Sequence, residues 1–136
     1  MRQGLPSGDN DMLMEKSNES WLFEQKCQSL LEFDEIRFAG IINQMGKLVA
    51  GGYKNGVTPL EDAAERQKMY MELVLRVSMR KEFDYCLGPV KYAAARREKA
   101  VMMSFPIGSN VLLVSTIPDV DLDKTAKKIM KHVGLN

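Results

Sequence analysis

The nearest approach to a nucleotide-binding element is Gly46-Lys47-Leu48. A phosphate loop of the form G-x-x-x-x-G-K-[ST] cradles phosphates with its backbone amides and holds magnesium through its last hydroxyl. Ile41 stands where the first glycine belongs and Leu48 where the hydroxyl belongs, so this segment does not form that cradle. Asp119, Asp121 and Asp123 set three carboxylates at alternate positions, but neither the turn glycine nor the closing glutamate of an EF-hand follows them. Helix capping accounts for them better. His132 is the single histidine, late in a lysine-rich helix, and reads as a solvated or dipole-interacting side chain rather than a ligand. Cys27 and Cys86 have neither metal nor redox spacing, which fits free thiols in a reducing compartment and makes the cytoplasm the expected location. Arg76, Arg80, Lys81, Lys91, Arg96 and Arg97 are interleaved with Glu72, Glu82, Asp84 and Glu98, and the net charge is only +1, so no nucleic-acid partner is expected. With no triad, metal set or cofactor fingerprint, the sequence reads as that of a non-enzyme, with no catalytic, cofactor-binding or metal residues to name.

The elements that carry these residues follow from periodicity and punctuation. At 136 residues and 45% hydrophobic content the chain has enough for one ordinary core. No apolar run approaches the roughly 20 residues of a membrane span. Residues 1–16 are polar and aperiodic and are expected to form a flexible N-terminal tail, leaving residues 17–136 as a single domain. From Ser17 a capping cluster opens a helix that ends near Phe33. Ile36–Asn43 and Lys47–Tyr53 read as a hairpin with a bend at Gly51-Gly52. Thr58-Pro59-Leu60-Glu61 reads as a capping box that opens one long helix, which Leu87-Gly88-Pro89 then ends. Val90–Ala95, Ala100–Phe105 and Val111–Ile117 form a meander, and Asp119 or Asp121 caps a last helix closed by Gly134. The fold class is α+β: a five-stranded antiparallel sheet with helices on both faces, in the order helix, two strands, helix, three strands, helix. The helix Thr58–Leu87 is expected alone on one face and the two terminal helices on the other.

The long helix carries two apolar stripes. Leu60, Ala64, Met71, Val74, Leu75, Ser78 and Cys86 lie along one, which reads as the face turned to the sheet. Tyr70, Leu73 and Val77 lie along another, roughly 100° round the helix. Either that second stripe widens the core face, or it meets a second subunit.

Phe38-Ala39-Gly40-Ile41-Ile42-Asn43, the Gly46 turn, Leu48-Val49-Ala50-Gly51-Gly52, Ala63-Ala64, and Phe105-Pro106-Ile107-Gly108 before Val111-Leu112-Leu113-Val114 together resemble the roadblock (dynein light chain) family, a branch of the profilin-like folds. The resemblance covers roughly Ser20 to Val133. Ile36 to Gly52 and Met102-Met103-Ser104-Phe105-Pro106 also look like a family of small uncharacterised archaeal proteins. The roadblock resemblance implies a dimer formed through the long helix and the edge strand after it, and a role as scaffold or regulator of a small GTPase or other signalling partner. The dimer contact is then expected to use Tyr70, Leu73 and Val77 with Val90, Tyr92 and Ala94 of the strand Val90–Ala95, which carries only Lys91 to discourage edge pairing. The alternative is a PAS-like or profilin-like small-molecule sensor, with its ligand between sheet and helix near Gly51, Gly52 and Tyr53.

Overall fold

Strand order decides what each helix can cover, and here the order is β2-β1-β5-β4-β3, antiparallel throughout. A computed structural model describes residues 7–136, with side chains from residue 19. The elements are α1 (Ser7–Leu30), β1 (Ile36–Ile42), β2 (Leu48–Tyr53), α2 (Ala63–Lys81), α3 (Asp84–Leu87), β3 (Ala93–Arg96), β4 (Val101–Ile107), β5 (Asn110–Thr116) and α4 (Leu122–Val133). The expected fold class is the one observed, an antiparallel five-stranded sheet with helices on both faces.

Alternation sorts the strand residues onto those faces. Ile41, Val101, Met103, Phe105, Leu112 and Val114 are buried with Cys27 and Leu30 of α1 and with Ala126, Ile129 and Val133 of α4. Each large side chain so buried stabilises the fold by roughly 1.5–3 kcal/mol, which makes this layer the main core. On the other face Phe38, Ile42 and Leu113 meet Tyr70 of α2, a smaller cluster flanked by Leu73, Val74, Tyr53 and Met102. Lys128 pairs with Glu35 at 2.9 Å and Lys26 donates to the Val133 carbonyl at 3.0 Å, fastening the terminal helices to each other and to the start of β1. Asp121 is the residue that caps α4, accepting from the Lys124 amide, and Gly134 closes the helix at φ 80°.

Several boundaries differ from the expected ones. Helix α1 already runs at Ser7, so residues 7–16 of the expected tail are helical, while residues 1–6 lie outside the described residues. Met12 to Lys16 are all strong helix formers, and this propensity outweighs the lack of a clear apolar face. Helix α2 begins at Ala63, not Thr58. Asp62 and Glu65 make the capping box there, with Asp62 accepting from the Glu65 amide at 2.8 Å and the Glu65 side chain returning to the Asp62 amide at 2.9 Å. Aspartate is the better N-cap, and the Glu61 carboxylate that a box at Thr58 would need is held by Arg66 and by the Tyr53 hydroxyl. At its far end the long helix is interrupted: Glu82 and Phe83 donate to carbonyls three residues back, Met79 and Arg80, and the chain resumes as the single turn α3 before Gly88 turns it at φ 83°. Strand β3 starts at Ala93, not Val90.

Candidate interaction surface

Apart from Val74, which packs at the margin of the sheet-facing cluster as expected, the two stripes of the long helix are placed the other way round from the expected arrangement. Tyr70 and Val77 are 5% and 6% exposed and face the sheet, with the Tyr70 ring 6.3 Å from that of Phe38. Met71, Leu75 and Met79 lie on the outer side, the last two 59% and 63% exposed, and Leu60, Ala64, Ser78 and Cys86 are exposed too. Periodicity measures the angle between stripes but carries no information on where the sheet lies. The large residues Phe38, Ile42 and Leu113 select the stripe that has an aromatic ring to fill the space above them. Tyr70 and Val77 are therefore consumed inside the chain and have no surface to offer a second subunit. Leu73 is half-buried at the margin of the same cluster.

Because Tyr70 sits over β1 and β5, α2 leaves the β4–β3 side of its face uncovered. The result is a groove of about 540 Å³. Met69 and Leu73 form its helical wall, Ala93, Ala95, Met102 and Leu113 line it from the strands, and Arg76, Arg80, Arg97 and Lys99 bring positive charge to it. Glu61, Glu65 and Glu72 also line it; Glu72 pairs with Arg76 and Glu61 with Arg66.

The two edges of the sheet are unlike. At β2 the outward Gly51 amide donates to the Glu24 carboxylate of α1 at 2.9 Å, and that bond holds the Glu24 acid below its ordinary range. Gly51 is at φ 81°, where a Cβ would stand 2.0 Å from the Ala39 carbonyl and 2.9 Å from Cys27, so the bend presses β2 against α1 as no other residue type would allow. At β3 the register with β4 runs Ala93 to Ser104, Ala94 to Met103, Ala95 to Met102 and Arg96 to Val101, and nothing among the described residues pairs with the outer side. Ala94, Ala95 and Arg96 are exposed. An uncovered edge of small residues beside an apolar groove is the feature that sheets normally guard against.

Of the six residues expected at a dimer contact, the structure brings Leu73 and Ala94 together as lining of that groove, and Val90 lies near its end in a second, smaller cavity. Tyr92 is turned to the opposite face, tilted over Phe105 and donating to Asp123 at 2.8 Å, a bond that raises the phenol and lowers the acid. Ala95 lies within the expected edge strand, and alternation along β3 places it on the groove side; Met69, Arg97 and Lys99 are not among the expected contact residues and lie outside β3. At the alternative ligand position Cys27 and Ala39 close on Gly51, whereas the space beside Gly52 is open, and the Tyr53 hydroxyl donates to Glu61 beneath the Arg66 guanidinium, 5.4 Å from the Tyr53 ring. Ser29 and His132 are hydrogen-bonded on an exposed helix surface, with Phe33 edge-on to the imidazole at 5.1 Å. That contact is a tie between α1 and α4. Lys47 is exposed and donates its amide to the Asn43 side chain, which organises a tight turn.

This sheet order with α2 alone on one face defines the class: the fold is that of Roadblock/LC7 domains. The chain is similar to MglB of Myxococcus xanthus at a TM-score of 0.63 and 13% identity, covering 85% of each chain. It is similar to a Roadblock/LC7 domain from Streptomyces avermitilis at 0.58 and 13%, covering 85% of this chain and 91% of that one. The gliding protein MglB of Thermus thermophilus gives 0.57 and 15%, with 82% and 79% covered. Over residues 16–136 the sequence matches DUF6659, a family of unknown function, and the chain belongs to that family. No curated protein matches the sequence. Among the described residues no helix is long and apolar enough to cross a membrane.

Proposed function

We propose that the protein is a non-enzymatic interaction module that works as a cytoplasmic homodimer, formed through the open edge of β3 and the groove beside it. The observation that carries this reading is the contrast between the two sheet edges, one closed by Glu24 and the other lined with alanines next to an apolar trough. Pairing β3 with its copy gives a continuous ten-stranded sheet and sets the two α2 helices across the two-fold axis, each shielding the other's groove. Leu73, Ala94 and Val90 remain in the contact from the set expected on sequence grounds, joined by Met69 and Ala95. The dimer then presents a doubled surface to a small GTPase or other signalling partner, as the roadblock resemblance implies. One structure of the similar protein MglB is described as a tetrameric arrangement, so higher assembly occurs on this fold.

Light scattering on wild type and Leu73→Asp tests the dimer. A wild type of two chains at tens of micromolar and a variant that is mostly monomeric are expected, since the variant places two carboxylates in an apolar contact. A monomeric wild type, or a variant that associates as tightly, defeats the reading. The groove's size and positive margin favour one other use, an amphipathic anion held between helix and sheet. Raised thermal stability with such a ligand, in a chain that stays monomeric, would select that use instead.

A further inference from the structure

Between the end of α2, the turn α3, the 89–90 segment and β4 lies a cavity of about 210 Å³, lined by Arg80, Lys81, Asp84, Val90, Ser104 and Pro106 among others, with neither Arg80 nor Lys81 in an ion pair with Asp84. Asp84 is the chemically odd member. Its Oδ1 is buried and has no hydrogen-bond partner, and none of the ion pairs among the described residues involves it. Arg80 is four residues earlier, the spacing at which a continuous helix would pair the two. The helix is broken between them at Glu82 and Phe83, and no ion pair joins them. Asp84 is half-buried, and its one oxygen withdrawn from water without a donor leaves an acceptor that a cation entering the cavity would satisfy.

Strand β3 points to its source. Ala93 and Ala95 are opposite Ser104 and Met102 and share their face toward α2. Arg97, two positions further, lines the groove on that face and makes no ion pair with any described residue. A two-fold axis normal to the sheet keeps every residue on its own face, so antiparallel self-pairing must centre on a residue rather than between two. Centred on Ala94, it sets Arg97 of one copy opposite Lys91 of the other, next to the Val90 wall of the cavity. Lys91 does not compete, because its ammonium is turned to the Asn136 carbonyl at 2.9 Å.

We propose that Arg97 of a second copy enters the Asp84 cavity and completes it with a charge-assisted hydrogen bond, fixing the β3–β3 register on Ala94. This rests on the edge pairing proposed above. It makes the Asp84 site one that a single chain cannot complete.

A charge exchange in trans tests it. Asp84→Arg and Arg97→Glu are prepared separately, and association is followed by light scattering for each alone, for the two mixed, and for wild type. Each variant alone carries two unmatched contacts per dimer and should associate at least about tenfold more weakly than wild type. Mixed, they form a heterodimer with one native and one reversed pair, and affinity should return to near the wild-type value. Wild-type dimers with no recovery on mixing, or single variants as tight as wild type, overturn the Asp84–Arg97 contact and leave edge pairing standing. A monomeric wild type overturns both. Asp84→Asn keeps the side-chain shape and gives a second readout should Asp84→Arg not fold. Wild-type affinity should fall with salt and the Asn variant should lose most of that slope; an unchanged slope also overturns the contact.

Discussion

Replacing Tyr70 with phenylalanine should make the protein more stable, which is the reverse of what most core substitutions do. The ring is 5% exposed and packs on Phe38, Ile42 and Leu113, and all of that area survives in the variant. What is removed is a hydroxyl that is buried and has no hydrogen-bond partner. Burial also pushes the phenol above its ordinary range, the Glu61 carboxylate adding to it and the Arg66 cation opposing it. An uncompensated buried hydroxyl costs about 1–3 kcal/mol on protein scales, so a gain of about 1–2 kcal/mol is expected after relaxation. For a chain of this length that corresponds to a rise of about 3–6 °C in Tm. Urea denaturation and thermal melts at one fixed protein concentration measure it, with concentration held constant because association would shift both. Had Tyr70 faced a partner, as the helical stripe alone suggested, the change would leave stability within about 0.5 kcal/mol and weaken association instead. A variant less stable than wild type would refute the reasoning, because it would mean that the hydroxyl has a partner in the folded chain.

Two further outcomes follow from the bend in β2. Gly51→Ala should cost about 3 kcal/mol or more, since the new methyl adds a collision with the Ala39 carbonyl at 2.0 Å to the left-handed strain. Gly56→Ala, at a similar φ of 83° but with nothing within 4 Å, should cost only about 1–2 kcal/mol, and equal urea midpoints for the two would count against the close approach. Cys27 is fully buried and its thiol is pushed up to about 12, mainly by that burial, whereas Cys86 is exposed. At pH 8 one thiol per chain should react promptly with an aromatic disulfide reagent and the other only on unfolding; prompt reaction of both would show that α1 does not stay seated on β2.

The strands were readable because alternation, glycines and prolines mark them locally, and the meander from β3 to β5 was legible in its order and turns, although β3 starts at Ala93 where Val90 was expected. What the sequence withheld was relational. Thr58-Pro59-Leu60-Glu61 and Asp62-Ala63-Ala64-Glu65 are both plausible helix starts, and the choice depends on Tyr53, a residue of the preceding strand, taking hold of Glu61. The break after Lys81 has no glycine or proline to announce it. The inversion of the α2 stripes has the same root: both are apolar, and only the bulk of Phe38, Ile42 and Leu113 on another element decides between them. The candidate site shared this limit. Leu73 and Ala94 could be found from periodicity, but the orphaned Asp84 oxygen arises from how α3 settles over β4 and has no signature in the order of residues.

The Glu24–Gly51 hydrogen bond has a consequence for growth. A sheet with two sticky ends is a monomer in the polymer chemist's sense: each addition exposes a new end, and the product is a fibre. A sheet with one end occupied has a valence of one. In the pairing proposed at β3, both open ends would be used and the product would have none left of that kind, so edge pairing would halt at two copies. A carboxylate on α1, 2.9 Å from one amide of β2, would then favour a closed pair over an open filament.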